Sequence, residues 1–265
     1  MFEMRDKTSI EKFMRRDPYL HLYGLGDLDD RWWPLTKWYG AGEEDKVKAL
    51  CMIFQPDDLP VLSALEDADG SALRLLLSDL LPKLPAKFYL HLTPGLEGTF
   101  ANGFLLDHRG THRKMKLDSS RRPCPELAKP FLARALTEKD ISKIERLYAE
   151  SYPEHWFDKR GLATGVYQGI FDGERLISIG GIHVYSPRYG VAVLGNITTH
   201  PQYRGRGLGT AVTALVAGAL DARITHTGLN VDRENTTAIR CYERVGFRPH
   251  TLYEEYMVTR TTGSS

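Results

Sequence analysis

Apolar residues recur along this chain with two different periods, and these periods predict both strands and helices. Short β-branched or aromatic runs predict strands, whereas apolar residues spaced by three or four predict helices with one buried face. Val191–Thr199 is such a strand run, and it stops at His200-Pro201. From Leu208 onward the spacing becomes helical. We therefore predict a strand, a short loop and a helix over this stretch.

The same reasoning predicts the remaining elements of the chain. In the first half it predicts a helix from Ser9, strands Lys46–Phe54 and Leu59–Leu65, a helix Ser71–Leu81, and strands Lys87–Leu92 and Lys114–Leu117. In the second half it predicts a strand Phe131–Leu136 and a helix that opens at Thr137 in the style of a capping box and runs to about Glu150. It then predicts a hairpin of Val166–Phe171 and Leu176–Val184, and a strand ending at Val231. A helix with Asn235 as N-cap and Gly246 just past its C-terminus and a last strand Leu252–Val258 complete this half.

This mixed order of elements predicts an α+β fold with two domains. The stretch Asp118–Pro125 is rich in turn-forming residues and has no apolar period, as expected of a linker. We place the first domain at residues 1–117, the linker at 118–129 and the second domain at 130–262.

Composition excludes several classes of protein. Apolar residues make up 42% and charged residues 26% of the 265 positions, which is typical of a soluble globular chain. The formal net charge of +1 gives no electrostatic reason to expect a nucleic acid or an acidic membrane as partner. No apolar run reaches membrane-spanning length and the first residues lack a signal-peptide plan. Three scattered cysteines predict neither a disulfide framework nor a zinc site, so we expect a cytoplasmic protein without a bound metal.

The loop between the Val191–Thr199 strand and the next helix carries the clearest chemical signal. Its glycines leave main-chain N–H groups free to approach an anion, and the helix N-terminus adds a positive dipole. We therefore predict a pyrophosphate site. A dinucleotide fingerprint would need glycine where Thr210 stands, and no Gly-Lys-Ser/Thr sequence of a Walker loop is present.

Two motifs in this half resemble those of the GNAT N-acetyltransferase superfamily. Arg204-Gly205-Arg206-Gly207-Leu208-Gly209 resembles the family's Gln/Arg-x-x-Gly-x-Gly/Ala signature. The second block has Asn235, Ala238, Tyr242 and then Gly246-Phe247. The resemblance implies a GNAT fold with a mixed central sheet in the second domain.

The two-part plan also resembles, more distantly, glycine N-acyltransferase. Because the first half runs helix, strands, helix, strand, much like the second, we expect it to be a smaller, degenerate GNAT-like α+β domain. Acidic residues, Glu66 to Asp69, stand where its phosphate loop would be, and their charge would repel a pyrophosphate. We therefore expect the first half not to bind CoA.

The resemblance implies acetyl-CoA as the acyl donor and assigns residues to it. The residues implied for binding are the backbone of Ile197 and Thr199 for the pantetheine arm, together with Arg204, Gly205, Arg206, Gly207, Leu208, Gly209, Thr210, Asn235 and Tyr242. Tyr242 also stands where the family keeps the tyrosine that protonates the departing thiolate. A phenol is protonated at neutral pH and can serve as that acid.

The general base is not visible in the motifs. Relatives place Glu or His at positions matching Val193 or Gly195, and neither residue here can titrate. The base then comes from elsewhere, from a water chain, or is unnecessary because the amine arrives neutral. Glu154 is our candidate catalytic base, with His155 beside it, and the alternative for both is a surface turn. His183 and Asn196 are expected either to line the cleft or to be hydrogen-bonded structural residues.

The sequence thus predicts an N-acetyltransferase that moves an acetyl group from acetyl-CoA to a primary amine by direct attack. The acceptor is a small molecule or a peptide, and a homodimer is left open. Two alternatives remain: an acyltransferase for a larger acyl-CoA, and a non-enzymatic CoA-binding or sensor module.

Overall fold

The computed structural model describes residues 1–43, 46–66, 70–118, 127–153 and 155–261. Within these ranges the helices are α1 (Lys7–Met14), α2 (Leu22–Asp27), α3 (Ser71–Leu80), α4 (Ile141–Ser151), α5 (Leu208–Gly218) and α6 (Thr236–Val245). The strands are β1 (Phe2–Met4), β2 (Thr36–Glu43), β3 (Lys46–Phe54), β4 (Val61–Ala64), β5 (Lys87–Leu92), β6 (Phe104–Leu117), β7 (Leu132–Ala135), β8 (Gln168–Asp172), β9 (Arg175–Ser186), β10 (Val191–Thr199), β11 (His226–Asp232) and β12 (Phe247–Arg260).

The chain divides into two compact units, of which unit 1 comprises Met1–Lys114 and His250–Ser265. Strands β2, β3 and β4 form an antiparallel meander, α3 crosses over, and β5 returns parallel to β4. Strand β12 then pairs antiparallel with β5. The core of this unit is the apolar face of α3 packed on the sheet, with Leu73, Leu76, Leu77, Leu80, Leu62, Phe88 and Leu90 all buried.

Unit 2, Met115–Pro249, repeats this order of elements. Strands β7, β8, β9 and β10 are antiparallel neighbours, α5 crosses over, and β11 lies parallel to β10. Seven of the eleven residues of α5 are buried, and Gly180 of β9 gives the helix room, since a Cβ there would lie 3.0 Å from Val216 Cγ2. This arrangement fixes the start of α5 at the end of β10.

Helix α4 packs against β9 and β10 and begins with the predicted capping box. The Thr137 N–H donates to Asp140 Oδ2 at 3.0 Å, which opens a short 3₁₀ turn before the helix. The Arg134 guanidinium donates to both oxygens of the same carboxylate, at 2.8 and 2.6 Å. The hydrogen bonds from Arg134 lower the pKa of Asp140 to about 2. The carboxylate therefore stabilises the folded state in its charged form.

We expect Asp140→Asn to lower the free energy of unfolding by about 1–2 kcal/mol at pH 7, since Arg134 is half exposed and its bonds are partly screened. Because the folded pKa is depressed, this contribution is complete above the ordinary carboxylate pKa near 4. It is lost as the pH falls through about 2. Urea titrations across that range would measure the difference. The exposed neighbour Glu138→Gln is the control, and an equal loss in both variants would contradict the prediction.

Unit 1 differs from the sequence prediction in several elements. Strands β1 and β2 and helix α2 were not predicted, and in β2 and α2 aromatic residues and glycines interrupt the apolar period. Strand β6 begins ten residues before the predicted Lys114, at Phe104. Helix α1 begins at Lys7 and is capped by Asp6 rather than by Ser9, whose N–H donates to Asp6 Oδ2 at 2.9 Å.

The last strand was assigned to the second domain, 130–262, from its position in the chain. Its residues Glu254–Thr259 instead pair with β5, which places His250 onward in unit 1. Most of the predicted linker, 118–129, lies outside the described residues. Among the residues that are described, no helix is both long and apolar enough to cross a bilayer.

Candidate functional site

Strands β10 and β11 separate toward their C-terminal ends. Their parallel pairing ends at Leu194↔Leu229, although β10 continues to Thr199 and β11 to Asp232. Main-chain groups in such a gap can bond an extended ligand as a partner strand would. The predicted contact residues Ile197 and Thr199 lie in the stretch of β10 that has no partner on the β11 side.

A glycine-rich loop leads from this gap into α5. Gly205 and Gly207 have φ values of 78° and 77°, in the left-handed region that favours glycine. A Cβ added to either would meet no atom within 4 Å, so the loop backbone faces open space. Gly207 is the N-cap of α5, and its carbonyl accepts the bond from Ala211 N–H at 3.0 Å. The N–H groups of the first turn, which begins at Leu208, have no acceptor within the helix.

Thr210 in this first turn carries an orphaned polar atom. Its Oγ1 is buried and has no hydrogen-bond partner among the described residues. Thr213, one turn later, donates its hydroxyl to the Gly209 carbonyl at 2.7 Å. A buried hydroxyl without a partner costs about 1–3 kcal/mol, so the position is suited to a polar ligand. Phosphate oxygens match it, since they accept hydrogen bonds and helix N-termini favour negative charge.

The two loop arginines have different surroundings. Arg204 Nε donates to the Thr199 carbonyl at 3.1 Å, so its guanidinium holds the loop against the end of β10. The Arg206 guanidinium lies over the Tyr203 ring, 5.2 Å from its centroid. Arg206 is exposed, and Leu208 is buried in the core. Of these side chains, that of Arg206 is placed to add positive charge beside a bound anion.

Unit 1 has a different arrangement at the equivalent point of its own topology, where β4 leads to α3. The Leu73 N–H in the first turn of α3 donates to Glu66 Oε2 at 3.3 Å. An internal carboxylate therefore occupies this helix N-terminus. Its charge would oppose a phosphate there, which supports the expectation that unit 1 does not bind CoA.

Helix α6 places the second predicted motif beside the loop. The Ala238 N–H donates to Asn235 Oδ1 at 3.1 Å, which confirms the predicted N-cap. Cys241 approaches the start of α5, since a Cβ on Gly209 would lie 3.9 Å from Cys241 Sγ and 3.8 Å from Thr199 Oγ1. Asn235 thus serves the helix with its side-chain oxygen, whatever it contributes to ligand binding.

Tyr242 follows Cys241 and is half-buried against the core of unit 2. Its ring meets Phe247 at 6.2 Å between centroids. Burial raises the pKa of the Tyr242 phenol above its usual value, and the neighbouring Cys241 and Tyr152 raise it further. The phenol therefore keeps its proton at neutral pH, as a general acid must.

The structure describes one of the two predicted base candidates, His155, but not the other, Glu154. Glu154 lies outside the described residues. His155 stacks on Tyr148 with ring centroids 4.2 Å apart, and its Nδ1 accepts the Phe157 N–H at 3.1 Å. His155 is therefore a structural part of an aromatic wall. Within the described ranges, no group of three or more His, Cys, Asp or Glu side chains is placed to hold a metal ion.

The sequence left open whether His183 lines the cleft or is a hydrogen-bonded structural residue. Its ring lies directly over Gly195, one of the two β10 positions that match those where GNAT relatives have Glu or His. The signal in the sequence was the glycine itself, which leaves space on the strand for a side chain from elsewhere. Asn196, the other candidate, donates from Nδ2 to Tyr167 Oη at 3.1 Å, while its Oδ1 is buried without a partner among the described residues.

Residues 132–247 match the family model described as "Acetyltransferase (GNAT) family". This range contains the splayed strands, the glycine-rich loop and Tyr242. The second unit has the GNAT fold. The predicted α+β class is thereby confirmed.

Solved structures resemble the chain over nearly its full length. A GCN5-related N-acetyltransferase from Sphaerobacter thermophilus has a TM-score of 0.62 at 14% identity, covering 98% of this chain and 95% of its own. A Drosophila protein reaches a TM-score of 0.69 at 15% identity, with 98% of each chain covered. At such identities the likeness establishes the fold alone.

Curated relatives match part of the chain. The mycothiol acetyltransferase of Mycolicibacterium gilvum is 35% identical over 106 residues, which is 37% of this chain and 33% of the relative. That of Streptomyces griseus is 31% identical over 117 residues, or 44% and 34% of the two chains. The chain thus spans about a third of the length of these relatives. The family model and these relatives each match less than half of the chain.

Proposed function

We propose that unit 2 is an N-acetyltransferase that uses acetyl-CoA. The observation that carries this proposal is the loop at Arg204–Thr210, with its open glycine backbone and the orphaned Thr210 hydroxyl at the start of α5. These groups suit a pyrophosphate, and the GNAT fold directs the rest of such a ligand into the gap after Leu194. Acetyl-CoA would supply the acetyl group as an activated thioester.

In this proposal the chain's own residues bind and orient the donor and move protons. The amides of the first turn of α5 and the Thr210 hydroxyl hold the phosphates. Main-chain groups of Ile197 and Thr199 align the arm along β10, and an N–H there stabilises developing negative charge on oxygen by up to a few kcal/mol. Tyr242 Oη holds the proton that the departing sulfur requires.

The acceptor in this proposal is the primary amine of a small molecule. The name of the relatives, mycothiol acetyltransferase, associates them with a small molecule, although the match covers only 37% of this chain and 33% of the relative. A peptide acceptor, a larger acyl group as in glycine N-acyltransferase, and a homodimer remain predictions from the sequence.

Tyr242→Phe tests the role of the phenol. We expect kcat for acetyl transfer to fall by about 100-fold, because general acids contribute at least that much, while CoA affinity stays within about threefold. Release of free thiol from acetyl-CoA over a panel of amines measures turnover, and calorimetry measures binding. Tyr189→Phe, at a buried tyrosine between β9 and β10, is the matched control. Unchanged turnover in Tyr242→Phe would remove this role.

The same panel separates an enzyme from a sensor. A wild-type protein that binds CoA but acetylates no amine would contradict the proposed activity and favour the non-enzymatic CoA-binding module.

A further inference from the structure

His183 occupies an irregular position between β9 and β10. Val193 pairs with Val184, but the next residue of β10, Leu194, pairs with Ile182. His183 is therefore the extra residue of a β-bulge. Bulges of this kind redirect a side chain out of the regular alternation of the sheet.

The redirected ring fills the space above a glycine. A Cβ built on Gly195 would lie 1.9 Å from His183 Cδ2 and 2.1 Å from Nε2. No residue other than glycine fits at position 195 while the imidazole stays there. Positions 183 and 195 are thus complementary. Strand β10 has no titratable side chain at Gly195, and β9 places the imidazole of His183 in the same space.

The surrounding side chains hold this geometry in place. Gly181, the β9 partner of Gly195, is covered in the same way by Tyr167, whose Cε1 would lie 2.0 Å from a Cβ. Tyr167 Oη donates to the Ile182 carbonyl at 3.0 Å, and Tyr148 Oη donates to the Asn196 carbonyl at 2.8 Å. These bonds fix the backbone on both sides of the imidazole.

A second irregularity lies on β10 itself. Gly195 pairs with Gly181, yet Thr198 pairs with Ile179, so β10 has two residues opposite one. Asn196 in this bulge has a φ of 55°. The strand therefore bends immediately after the point that His183 covers, and this bend precedes the contact residues Ile197 and Thr199.

The imidazole is both accessible and able to accept a proton. Its side chain is exposed, so the ring can meet a ligand. Protein nevertheless surrounds it closely enough that burial lowers the pKa of His183 to about 4. Both properties are expected of a ring inside a cleft. At neutral pH the ring is uncharged, with a free nitrogen lone pair.

Neighbouring elements add no charge that would protonate the ring. The titratable groups on the elements packed here include Tyr148 on α4, which donates to the Asn196 carbonyl, Tyr167, which covers Gly181, and Tyr185 on β9 itself. Burial alone accounts for the lowered pKa of His183.

We propose that His183 is the general base of unit 2, with its ring over Gly195 receiving the proton of the acceptor amine. This inference rests on the proposed N-acetyltransferase function. The amine nitrogen forms a C–N bond to the acetyl carbon, and the C–S bond to CoA breaks. The proton lost by nitrogen goes to the imidazole, and the sulfur takes one from Tyr242. No other reactant is needed.

Removal of the imidazole is the first test. His183→Ala and His183→Gln are expected to lower kcat/KM at pH 7 by about 100-fold, with CoA affinity unchanged. The defect should shrink toward pH 10, where the amine loses its proton without help. In the wild type, kcat/KM should fall as the pH approaches about 4, where His183 becomes charged. His226→Gln, at the far end of the β10–β11 pairing, is the matched control.

A relocated base is the second test. In the His183→Ala background the space over Gly195 is free, so Gly195→Glu places a carboxylate on β10 at the same point. We expect this double variant, or exogenous imidazole added to His183→Ala, to recover at least about tenfold of the lost rate. In the wild-type background Gly195→Glu should instead inactivate, since it collides with the ring.

A readout independent of turnover is the NMR titration of histidine side chains, with the His183 signal identified by its absence in His183→Gln. We expect a pKa below about 5.5, and a shift of the signal when the acceptor amine is added to the CoA-bound protein. A signal that does not respond to the amine would overturn the proposal.

The outcomes distinguish the two levels of inference. A wild type that acetylates an amine while His183→Ala keeps more than a third of its kcat/KM at pH 7 overturns only the role of His183. A wild type that binds CoA and acetylates nothing overturns the proposed function, and this inference with it.

Discussion

Gly207→Asp is expected to weaken CoA binding by at least about 100-fold, which corresponds to about 2.7 kcal/mol. Two effects contribute. A side chain at a φ of 77° strains the backbone by about 1–2 kcal/mol, and a carboxylate at the N-cap of α5 repels the phosphates that this helix end would hold. Calorimetric titration with CoA measures the change.

The matched control is Gly95→Asp in unit 1. Gly95 has a φ of 86° and, like Gly207, open space where its Cβ would be. An aspartate at this position imposes the same backbone strain and adds the same charge, but it lies far in sequence from the loop. We expect wild-type CoA affinity in this variant. Equal losses in both variants would show that the effect of Gly207→Asp is not local to the loop.

Gly181→Ala is expected to destabilise unit 2 by about 3 kcal/mol, the upper end of overpacking effects. The added methyl would lie 2.0 Å from Tyr167 Cε1, and Tyr167 is only 1% exposed. The ring cannot move without losing its bonds to the Ile182 carbonyl and Asn196. Because those bonds also fix the bulges around His183, acetyl transfer should fall together with stability.

Gly218→Ala provides the comparison for this second variant. Gly218 ends α5, and a Cβ there meets no atom within 4 Å. Its replacement should stabilise the helix by about 0.5–1 kcal/mol. We therefore predict that urea unfolding shows changes of opposite sign in the free energy of unfolding of the two variants. A Gly181→Ala protein as stable as Gly218→Ala would contradict the packing described around Tyr167.

The features that sequence predicted well are those set by neighbouring residues. The Asn235 cap, the Thr137 capping box and the C-terminal Gly246 of α6, with a φ of 113°, each depend on a few adjacent positions. The glycine-rich loop belongs to the same class. Its position after β10 followed from the strand run and the helical stripe on either side.

The features that sequence missed depend on pairing between distant segments. The assignment of β12 to unit 1 follows from its pairing with β5, more than 150 positions earlier in the chain. Strand β6 carries charged residues along its middle, so its alternation was visible only near Lys114. His183 belongs here too, since a one-residue register shift between β9 and β10 cannot be inferred from either strand alone.

The central claim is that main-chain amides at Arg204–Thr210 bind the pyrophosphate of CoA, and comparison of CoA with pantetheine tests it most directly. Calorimetry should show CoA binding to the wild type at least about 100-fold more tightly than pantetheine, which lacks the pyrophosphate. In Gly207→Asp the affinity for CoA should drop close to that for pantetheine, while pantetheine binding is unchanged. Equal affinities of the wild type for both compounds, or CoA binding that Gly207→Asp leaves intact, would contradict the claim.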